Sequence, residues 1–444
     1  MTTLLKEFDR KQTREIGDEL YGFASKLYPI CRSITGDGIR RTLGMIGEKI
    51  PLQISEVPSG TAVFDWTVPK EWNIRDGYIK DTAGRRVVDF QQNNLHVLNY
   101  SVPTHAKMPL SQLGEHLFTL PEHPDWIPYR TSYYKPEWGF CLAHKQMLAL
   151  KEGEYEVCID TQLEDGYLTY GECVLPGRSS DEVLISVHAC HPSLANDNLS
   201  GLTVATALAQ MLVGRDLHYS YRFLFIPGTI GAITWLARNQ EMAGKIQHGL
   251  VLTCVGDAAG FHYKKSRRGD AKIDRVVAHV LKHCGEFSEV LEFSPYGYDE
   301  RQFCSPGFNL AVGCLMRSIW GTFPEYHSSA DNLDFIQPQK LASSLRLCTA
   351  IFDVLENDKL YRNLNPYCEP QLGKRNLYRN TGGESIGTEI NARLWVLSFS
   401  DGEHSLLDIA ERCGLPFAAI HDAADLLHEH GLLAETGVEP RESQ

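Results

Sequence analysis

The sequence lacks the features of an extracellular scaffold and of a polyanion-binding protein. Its twelve cysteines occur singly, with no Cys-x-x-Cys pair, which disfavours a disulfide framework or a thiolate zinc site and favours reduced thiols in the cytoplasm. Basic residues are fewer than acidic ones, because the chain has 43 Lys and Arg but 56 Asp and Glu, which gives a net charge of -13. Nucleic acids and anionic membranes attract clustered basic residues, so we expect neither as a partner.

The chain also lacks the pattern of a leader peptide or a membrane span. Its first ten residues include Lys6, Glu7 and Arg10 and have no apolar core, so no export signal is expected. The apolar run from Phe223 to Ala237 is interrupted by proline and glycine and is too short for a bilayer. With 43% hydrophobic residues over 444 positions, we predict a globular protein with one large core and one or two smaller units.

Strand and helix patterns alternate after Asp181, which predicts an α/β fold with a mostly parallel, helix-flanked sheet. The predicted strands are Val183 to His188, Arg222 to Ile226, Leu250 to Val255 and Leu310 to Leu315. The predicted helices are Ser200 to Leu212, Ile230 to Arg238, Ile273 to His283 and Pro338 to Leu355. Such sheets bind ligands beyond the carboxyl ends of their strands, so the functional site is expected there.

Changes in pattern divide the chain into five predicted segments. Residues 1–56 are a helical lead-in, 57–110 a β-rich insert, 111–366 the α/β domain, 367–387 a polar linker and 388–444 a winged helix-turn-helix domain. The insert is predicted from short aromatic and β-branched runs separated by turn residues. The linker is predicted from its content of Asn, Gly and Arg.

The last segment carries three short helical patterns. They are Ile390 to Phe399, Leu406 to Cys413 and Pro416 to His430. A winged helix-turn-helix unit often binds DNA through its third helix. Here that helix contains Asp422, Asp425 and Glu429 and no Lys or Arg, and phosphates would repel it. A packing or protein-contact role is therefore favoured over DNA binding, and a homo-oligomer stays open.

Polar residues cluster after the predicted strand that ends at His188. The segment reads SVHACHPSLANDNLSG and places His188, His191 and Asp197 before the next predicted helix. Imidazole and carboxylate groups together suit zinc or a similar divalent ion. The alternative is a strand followed by a capped helix start, with Asn198 or Ser200 as the N-cap.

Two later segments supply further groups of the same types. Asp257 follows the third predicted strand, and His327 lies in a loop before the last of the four predicted helices. A zinc peptidase site needs nitrogen and oxygen ligands from several strand ends and a base for the attacking water. We therefore expect these side chains to converge with His188 and Asp197.

Four motifs, in their order along the chain, resemble the zinc aminopeptidase superfamily that includes bacterial leucyl aminopeptidases and glutamate carboxypeptidases. They are His188 to Gly201, Lys264 to Gly269, Asp299 to Gly307 and the loop at His327. More narrowly, they resemble bacterial aminopeptidase-like proteins labelled as polysaccharide-biosynthesis proteins, which carry a β insert and a C-terminal winged helix. The resemblance covers nearly the whole chain and implies an aminopeptidase-like fold and zinc-dependent hydrolysis of an amide with a free amino group.

The resemblance also implies roles for single residues. His188 would be a terminal metal ligand, Asp197 the bridging carboxylate and His327 the terminal ligand of the second metal position. Asp257 would have to reach the metal from the turn after its strand, because the family's carboxylate lies a few residues earlier. His191 has no counterpart in the wider superfamily and is either a ligand or a partner of Asp197.

The main departure from the family is Gly228, where the narrower family typically has a glutamate. In the aminopeptidases this strand end supplies the general base and a carboxylate ligand, and this chain has no carboxylate between Arg222 and Arg238. Loss of a general base removes about two to four orders of magnitude in rate. Three interpretations stay open: a base recruited from elsewhere, with Glu300 and Glu325 as candidates, a different reaction, or a metal-binding protein without activity. One tightly bound zinc ion and a weak or empty second position are expected.

Four residues are candidates for substrate contact. Lys264, Arg267 and Arg268 could bind a carboxylate or phosphate group, or they could form a solvated turn. Tyr326, next to His327, is the fourth. The prediction is a metal-dependent, aminopeptidase-like hydrolase of polysaccharide or natural-product biosynthesis, acting on a small molecule or peptide with a free amino group. The alternative is a degenerate metal-binding protein with a binding or scaffolding role.

Overall fold

The computed structural model describes residues 4–9, 13–378 and 387–436. The chain divides into two compact units. The large unit contains residues 6–274 and 286–348, and the small unit contains residues 1–5, 275–285 and 349–444. Residues 379–386 of the predicted linker and residues 437–444 of the predicted winged-helix segment lie outside the described residues. The bounds of the five predicted segments stay a prediction.

The elements are given in chain order. The helices are α1 (Leu4–Asp9), α2 (Thr13–Leu27), α3 (Asp37–Gly47), α4 (Leu110–Leu113), α5 (His144–Leu148), α6 (Gly201–Leu212), α7 (Ile230–Arg238), α8 (Gln240–Ala243), α9 (Lys272–Lys282), α10 (Glu300–Phe303), α11 (Pro338–Asn357), α12 (Thr388–Phe399), α13 (Leu406–Cys413) and α14 (Phe417–Glu429). The strands are β1 (Gln53–Pro58), β2 (Ala62–Val63), β3 (Trp66–Thr67), β4 (Glu71–Lys80), β5 (Arg86–Asp89), β6 (Thr104–Pro109), β7 (Leu117–Phe118), β8 (Phe140–Cys141), β9 (Glu154–Glu164), β10 (Tyr167–Leu175), β11 (Glu182–His188), β12 (Ser220–Ile226), β13 (Ile246–Leu252), β14 (Phe261–Lys264), β15 (Ser288–Leu291), β16 (Val312–Met316), β17 (Leu360–Asn363), β18 (Asp401–Ser405) and β19 (Leu433–Glu435).

An eight-stranded sheet forms the centre of the large unit, in the order β1-β10-β12-β11-β13-β16-β14-β15. Its middle strands β12, β11, β13 and β16 are mutually parallel, whereas β1 and β10 add antiparallel strands at one edge. Every residue of β11 is buried, as expected for a strand with a continuous apolar run that is covered on both faces. The predicted α/β fold with a mainly parallel sheet is confirmed.

A second sheet of four strands lies in the order β5-β4-β9-β6. Its central strand β9 comes from residues 154–164, so the predicted insert, 57–110, does not contain the whole sheet. The sequence pattern also suggests a strand at Leu95–Leu98, but the chain forms a helical turn over Asn94–His96. The reason is local, because the side chain of Asn93 accepts the backbone N–H of Leu95 (2.9 Å) and closes the turn.

The small unit carries the helices α12, α13 and α14 and the three-stranded sheet β18-β17-β19. Ser405 and Asp408 form a capping box at the start of α13, and Gly414 ends that helix with a φ of 71°, a left-handed conformation that favours glycine. Ile420 and Leu427 on α14 are fully buried. These elements form the predicted winged helix-turn-helix. In neither unit does a described helix combine the length and apolarity that crossing a bilayer requires.

Candidate metal centre

The carboxyl ends of three parallel strands meet at one edge of the large sheet. His188 is the last residue of β11 and pairs in register with Ile226 at the end of β12. On its other side β11 pairs with β13, which ends at Leu252. This is the edge at which an open α/β sheet presents its ligands.

A tight irregular turn over Ala195–Ser200 presents Asp197 to this edge. The buried carboxylate of Asp331 accepts the backbone N–H groups of Asn196 (2.6 Å) and Asp197 (2.9 Å). The backbone N–H of Ala195 also donates to the Asp331 carbonyl oxygen (3.0 Å). Asp331 therefore holds the turn, and the orientation of Asp197 depends on it.

Asn198 links the turn to His188 and to the next helix. Its amide nitrogen donates to the carbonyl of Leu252 (2.9 Å) and lies 3.3 Å from Nδ1 of His188. Its amide oxygen accepts the backbone N–H of Gly201, the first residue of α6 (3.1 Å). The Asn198 side chain therefore contacts both the start of α6 and a site histidine. The segment is compatible with both interpretations, a helix start and a candidate metal site.

His327 approaches the same carboxylate from a loop between β16 and α11. Its φ is 55°, in the left-handed region that costs a residue with a side chain about 1–2 kcal/mol. The backbone N–H of Tyr129 donates to its carbonyl (2.8 Å), and the ring of Tyr326 stacks on its imidazole at 4.0 Å between centroids. Strain of this kind persists where the surroundings fix it, which is typical of functional sites.

Three imidazole side chains meet around the Asp197 carboxylate. Nε2 of His188 lies 2.8 Å from Oδ1 of Asp197, and Nε2 of His327 lies 3.0 Å from Oδ2. Nδ1 of His191 lies 3.2 Å from Oδ2. Ligand atoms of His188, His191 and Asp197 lie within 4.8 Å of one another, and all three residues are buried. The structure brings these residues together as the sequence predicts, and their role as ligands stays a prediction.

The protonation states around Asp197 suit a cation. Burial lowers the pKa of His188 to about 4, so its imidazole is neutral at neutral pH. Burial also lowers the pKa of His327. Burial alone would raise the pKa of Asp197, but His191 and His188 outweigh it and hold this pKa well below its usual value. Neutral imidazoles and an ionised carboxylate are the forms that bind zinc.

His191 has partners on both ring nitrogens. Nδ1 lies 3.1 Å from the carbonyl oxygen of Asp197, and Nε2 lies 3.3 Å from the phenol oxygen of Tyr298. Burial favours the neutral ring, but the Asp197 carboxylate outweighs it and raises the pKa of His191 well above its usual value. These contacts favour His191 as a partner of Asp197 over His191 as a direct ligand.

Asp257 lies behind the cluster rather than in it. Its carboxylate accepts hydrogen bonds from the amide of Asn196 (2.7 Å), the hydroxyl of Ser318 (2.9 Å) and the backbone N–H of Ala259 (2.8 Å). The predicted reach from this turn to the metal is therefore not seen among the described residues. Asp257 instead positions Asn196, the residue that precedes Asp197.

The ring of Tyr298 fills the space where a side chain at position 228 would begin. A β-carbon added at Gly228 would lie 2.2 Å from Cε1 and 2.7 Å from the phenol oxygen of Tyr298. The same ring packs against His188 at 3.9 Å between centroids. The departure at Gly228 is therefore matched by a bulky residue from a different segment of the chain.

Lys264 and Glu300, predicted for substrate contact and catalysis, pair with each other. Both are buried, and Nζ of Lys264 lies 2.5 Å from Oε1 of Glu300. The Glu300 carboxylate also accepts the backbone N–H of Tyr298 (3.0 Å), and Lys264 donates to the carbonyl of Tyr296 (2.8 Å). These contacts favour a role in holding the 294–300 segment over catalysis by Glu300 or substrate binding by Lys264.

The remaining predicted residues lie around the cluster without joining it. Arg267 and Arg268 are exposed and donate to the side chain and the carbonyl of Asn309 (2.8 and 2.9 Å). Glu325 is half-buried in the loop of His327, and its carbonyl accepts the Ser328 hydroxyl (2.8 Å). As described above, Tyr326 stacks on His327, which makes it a positioning residue for that imidazole.

Three residues of the site were not predicted as such from the sequence. Asp331 and Asn198 orient the turn, and Tyr298 occupies the space next to Gly228. Asp331 and Tyr298 act across more than a hundred residues of chain, so no local pattern announces their contacts. For Asp331, the only signal in the sequence was its position four residues after His327.

The donor set fits a divalent cation. It combines the ionised carboxylate of Asp197 with one neutral imidazole next to each carboxylate oxygen, His188 at Oδ1 and His327 at Oδ2. Carboxylate and imidazole groups are ligand types of zinc and similar ions. Asp331 fixes the backbone at Asp197, as groups behind metal ligands usually do. The Asn198 amide donates towards Nδ1 of His188.

The fold and this cluster define an aminopeptidase-like protein. The chain matches the family described as a domain of unknown function, DUF4910, over residues 21–358, and a winged helix-turn-helix family, HTH_47, over residues 359–435. The first match covers more than half of the sequence, and the chain belongs to the DUF4910 family. The predicted C-terminal winged helix is confirmed.

One solved structure matches nearly the whole chain, and a zinc aminopeptidase matches about three quarters of it. The chain is 51% identical over 424 residues to a Clostridium acetobutylicum protein named as a candidate polysaccharide biosynthesis protein with an aminopeptidase-like domain, with 95% of this chain and 98% of that protein covered. The crystal structure of a candidate peptidase from Clostridium acetobutylicum is 50% identical and superposes with a TM-score of 0.93 over 97% of this chain and 100% of that chain. A zinc aminopeptidase from Bacillus subtilis shares the fold at 13% identity and a TM-score of 0.55, over 76% of this chain and 94% of that chain. The predicted relationship to zinc aminopeptidases is confirmed at the level of the fold.

Proposed function

We propose that the protein is a metal-dependent hydrolase of the aminopeptidase type that acts on an amide with a free amino group. The observation that carries this proposal is the buried Asp197 carboxylate, with His188 on one oxygen and His327 on the other. The name of the Clostridium acetobutylicum relative supports a substrate from polysaccharide biosynthesis. A substrate from natural-product biosynthesis stays the alternative.

The proposal includes one tightly held zinc ion in the site that His188, Asp197 and His327 form, and a second position that is weak or empty. When bound, zinc supplies Lewis acidity to a substrate carbonyl. The second position is weak because residue 228 is glycine and because the carboxylate of Asp257 already has three hydrogen-bond donors.

The surrounding residues prepare the site before substrate arrives. Asp331 and Asn198 fix the orientation of Asp197 and His188, which spares reorganisation during the reaction. The side chain of His327 is 34% exposed, so substrate reaches the cluster from that side. His191 lies next to Asp197, with Nδ1 3.2 Å from its carboxylate, and is the candidate proton donor to a leaving amine.

Glu325 is the better of the two sequence candidates for the general base. Glu300 is neutralised by Lys264, whereas Glu325 lies in the loop that carries His327. If Glu325 is the base, Glu325→Gln lowers the rate by about two to four orders of magnitude.

A second candidate function is a metal-binding protein without hydrolase activity. The specific observation in its favour is the pair Gly228 and Tyr298, because the phenol ring occupies the place of the family's glutamate. Such a protein would keep the metal as part of its structure and use its winged helix for contacts with other proteins.

A panel of aminoacyl arylamides, assayed with and without added zinc, separates the two candidates. We expect zinc-dependent hydrolysis by the wild-type protein and none by Asp197→Asn. The matched comparison is the double variant Gly228→Glu with Tyr298→Gly, because Gly228→Glu alone would collide with the Tyr298 ring. Hydrolysis by the double variant but not by the wild type would support the second candidate and contradict the first.

The proposal places the protein in the cytoplasm, without nucleic-acid or membrane partners. The twelve cysteines occur singly along the chain, which fits reduced thiols in that compartment. On the winged helix, Asp408 pairs with Arg275 (2.6 Å), and α14 carries three acidic residues. At about 50 mM salt, where electrostatic binding is strong, we expect no change in the fluorescence anisotropy of labelled duplex DNA. A homo-oligomer stays open.

A further inference from the structure

Asp299 is a buried acid that none of the interactions described so far uses. It is 0% exposed, and neither carboxyl oxygen has a hydrogen-bond partner among the described residues. Burying an acid without partners costs several kcal/mol, and native structures contain few such groups. A fold that retains such a group next to a candidate reaction centre marks it as a candidate functional residue.

The surroundings of Asp299 place it next to the metal centre. Burial raises the pKa of Asp299 well above its usual value, and the nearby Cys190 and Glu300 add to this effect. Arg301 and His191 act in the opposite direction, and neither donates a hydrogen bond to it. The preceding residue, Tyr298, contacts both His188 and His191.

The segment that carries Asp299 is held firmly. The buried Lys264–Glu300 pair lies on one side of it, and the Glu300 carboxylate accepts the backbone N–H of Tyr298. The orphan carboxyl is therefore held in place by its neighbours rather than left over in a loose loop.

A cavity of about 70 Å³ borders Gly228, the residue that the Tyr298 ring contacts, and is lined by Trp66, Tyr133, Tyr134 and Ile233. One water molecule needs about 10–15 Å³ by this measure, so the cavity accepts an apolar group of a few heavy atoms.

We infer that Asp299 binds the positively charged amino group of the substrate. An ammonium group carries three N–H donors and a charge opposite to that of the carboxylate, so it satisfies both orphan oxygens. The inference rests on the proposed function for its substrate class, an amide with a free amino group.

Binding of L-leucinol and of N-acetyl-L-leucinol, measured by calorimetry on the full chain with zinc present, tests the inference, because neither ligand is an amide with a free amino group that the protein could hydrolyse. The two ligands differ in the amino group that Asp299 would bind. We expect the wild-type protein to prefer the free amine by about tenfold or more, as a charge-assisted hydrogen bond provides. Asp299→Asn should abolish this preference, whereas the control Glu292→Gln, an exposed acid paired with Lys265, should keep it.

Thermal unfolding shows whether Asp299 is merely structural. Because its carboxyl has no partner to lose, Asp299→Asn should unfold at the same temperature as the wild type or higher, and Asp299→Ser serves if the Asn variant does not fold. Equal binding of both ligands by the wild type, or a retained preference in the Asp299 variants, would overturn the inference. Absence of hydrolysis with an Asp299-dependent amine preference would contradict the proposed function alone.

Discussion

Asp331→Asn tests whether the turn that carries Asp197 is prepared for a cation. The two carboxylate oxygens of Asp331 accept the backbone N–H groups of Asn196 (2.6 Å) and Asp197 (2.9 Å). Asparagine keeps one acceptor oxygen and turns an NH2 group towards the other N–H. The variant therefore loses one charge-assisted hydrogen bond, worth about 1.5–3 kcal/mol, and gains a donor that faces a donor.

We expect this loss to weaken zinc binding by about 10- to 100-fold, the usual effect of removing a group that orients a ligand. Competition with a chromophoric chelator at neutral pH measures the affinity. Asp334→Asn is the matched control, because Asp334 is an exposed acid three residues further along the same loop. Zinc affinity of Asp331→Asn within about threefold of the control would refute the reasoning, since a tenfold change is the smallest expected effect.

Three further predictions concern stability. Arg40 lowers the pKa of Glu71 from 4.5 to about 2, so the pair stabilises the fold above pH 4.5 and this contribution disappears as the pH falls towards 2. Glu71→Gln should therefore lower the free energy of unfolding in urea by about 1–3 kcal/mol at pH 7. An equal loss at pH 3 would contradict this. Lys264→Met leaves the buried Glu300 carboxylate unpaired and should lower the free energy of unfolding by about 3–5 kcal/mol. Adding Glu300→Leu should restore part of this free energy. Leu427→Ala, at a fully buried position of α14, should lower the free energy of unfolding by about 2–5 kcal/mol. A decrease below 1 kcal/mol would argue against the packing described.

Much of the fold was predictable because its signals are local. The pattern predicts a helix from Ile230 to Arg238 and another from Leu406 to Cys413, and both have these bounds in the structure. Apolar spacing and the flanking glycine and proline fix such elements without long-range contacts. Strand β9 illustrates the limit, because residues 154–164 join strands that lie up to about ninety residues earlier, and such pairing is set by tertiary packing.

The candidate site likewise contains residues that could be predicted from the sequence and residues that could not. His188, Asp197 and His327 were predictable from residue type and order, since each ends a strand or lies in a loop that follows one. The roles of Asp331, Tyr298 and Asp299 were not, because each depends on which distant backbone or side chain lies beside it. Glu300 shows the converse, because an acid in a suggestive motif proves to be paired with Lys264.

Metal content tests the central claim most directly. Purified protein is incubated with zinc, dialysed against metal-free buffer and analysed by mass spectrometry, beside Asp197→Ala and the control Asp334→Asn. If His188, Asp197 and His327 hold a divalent cation, the wild type and the control retain about one zinc per chain and the Asp197 variant retains almost none. Equal zinc in all three proteins, or none in the wild type, would contradict the account.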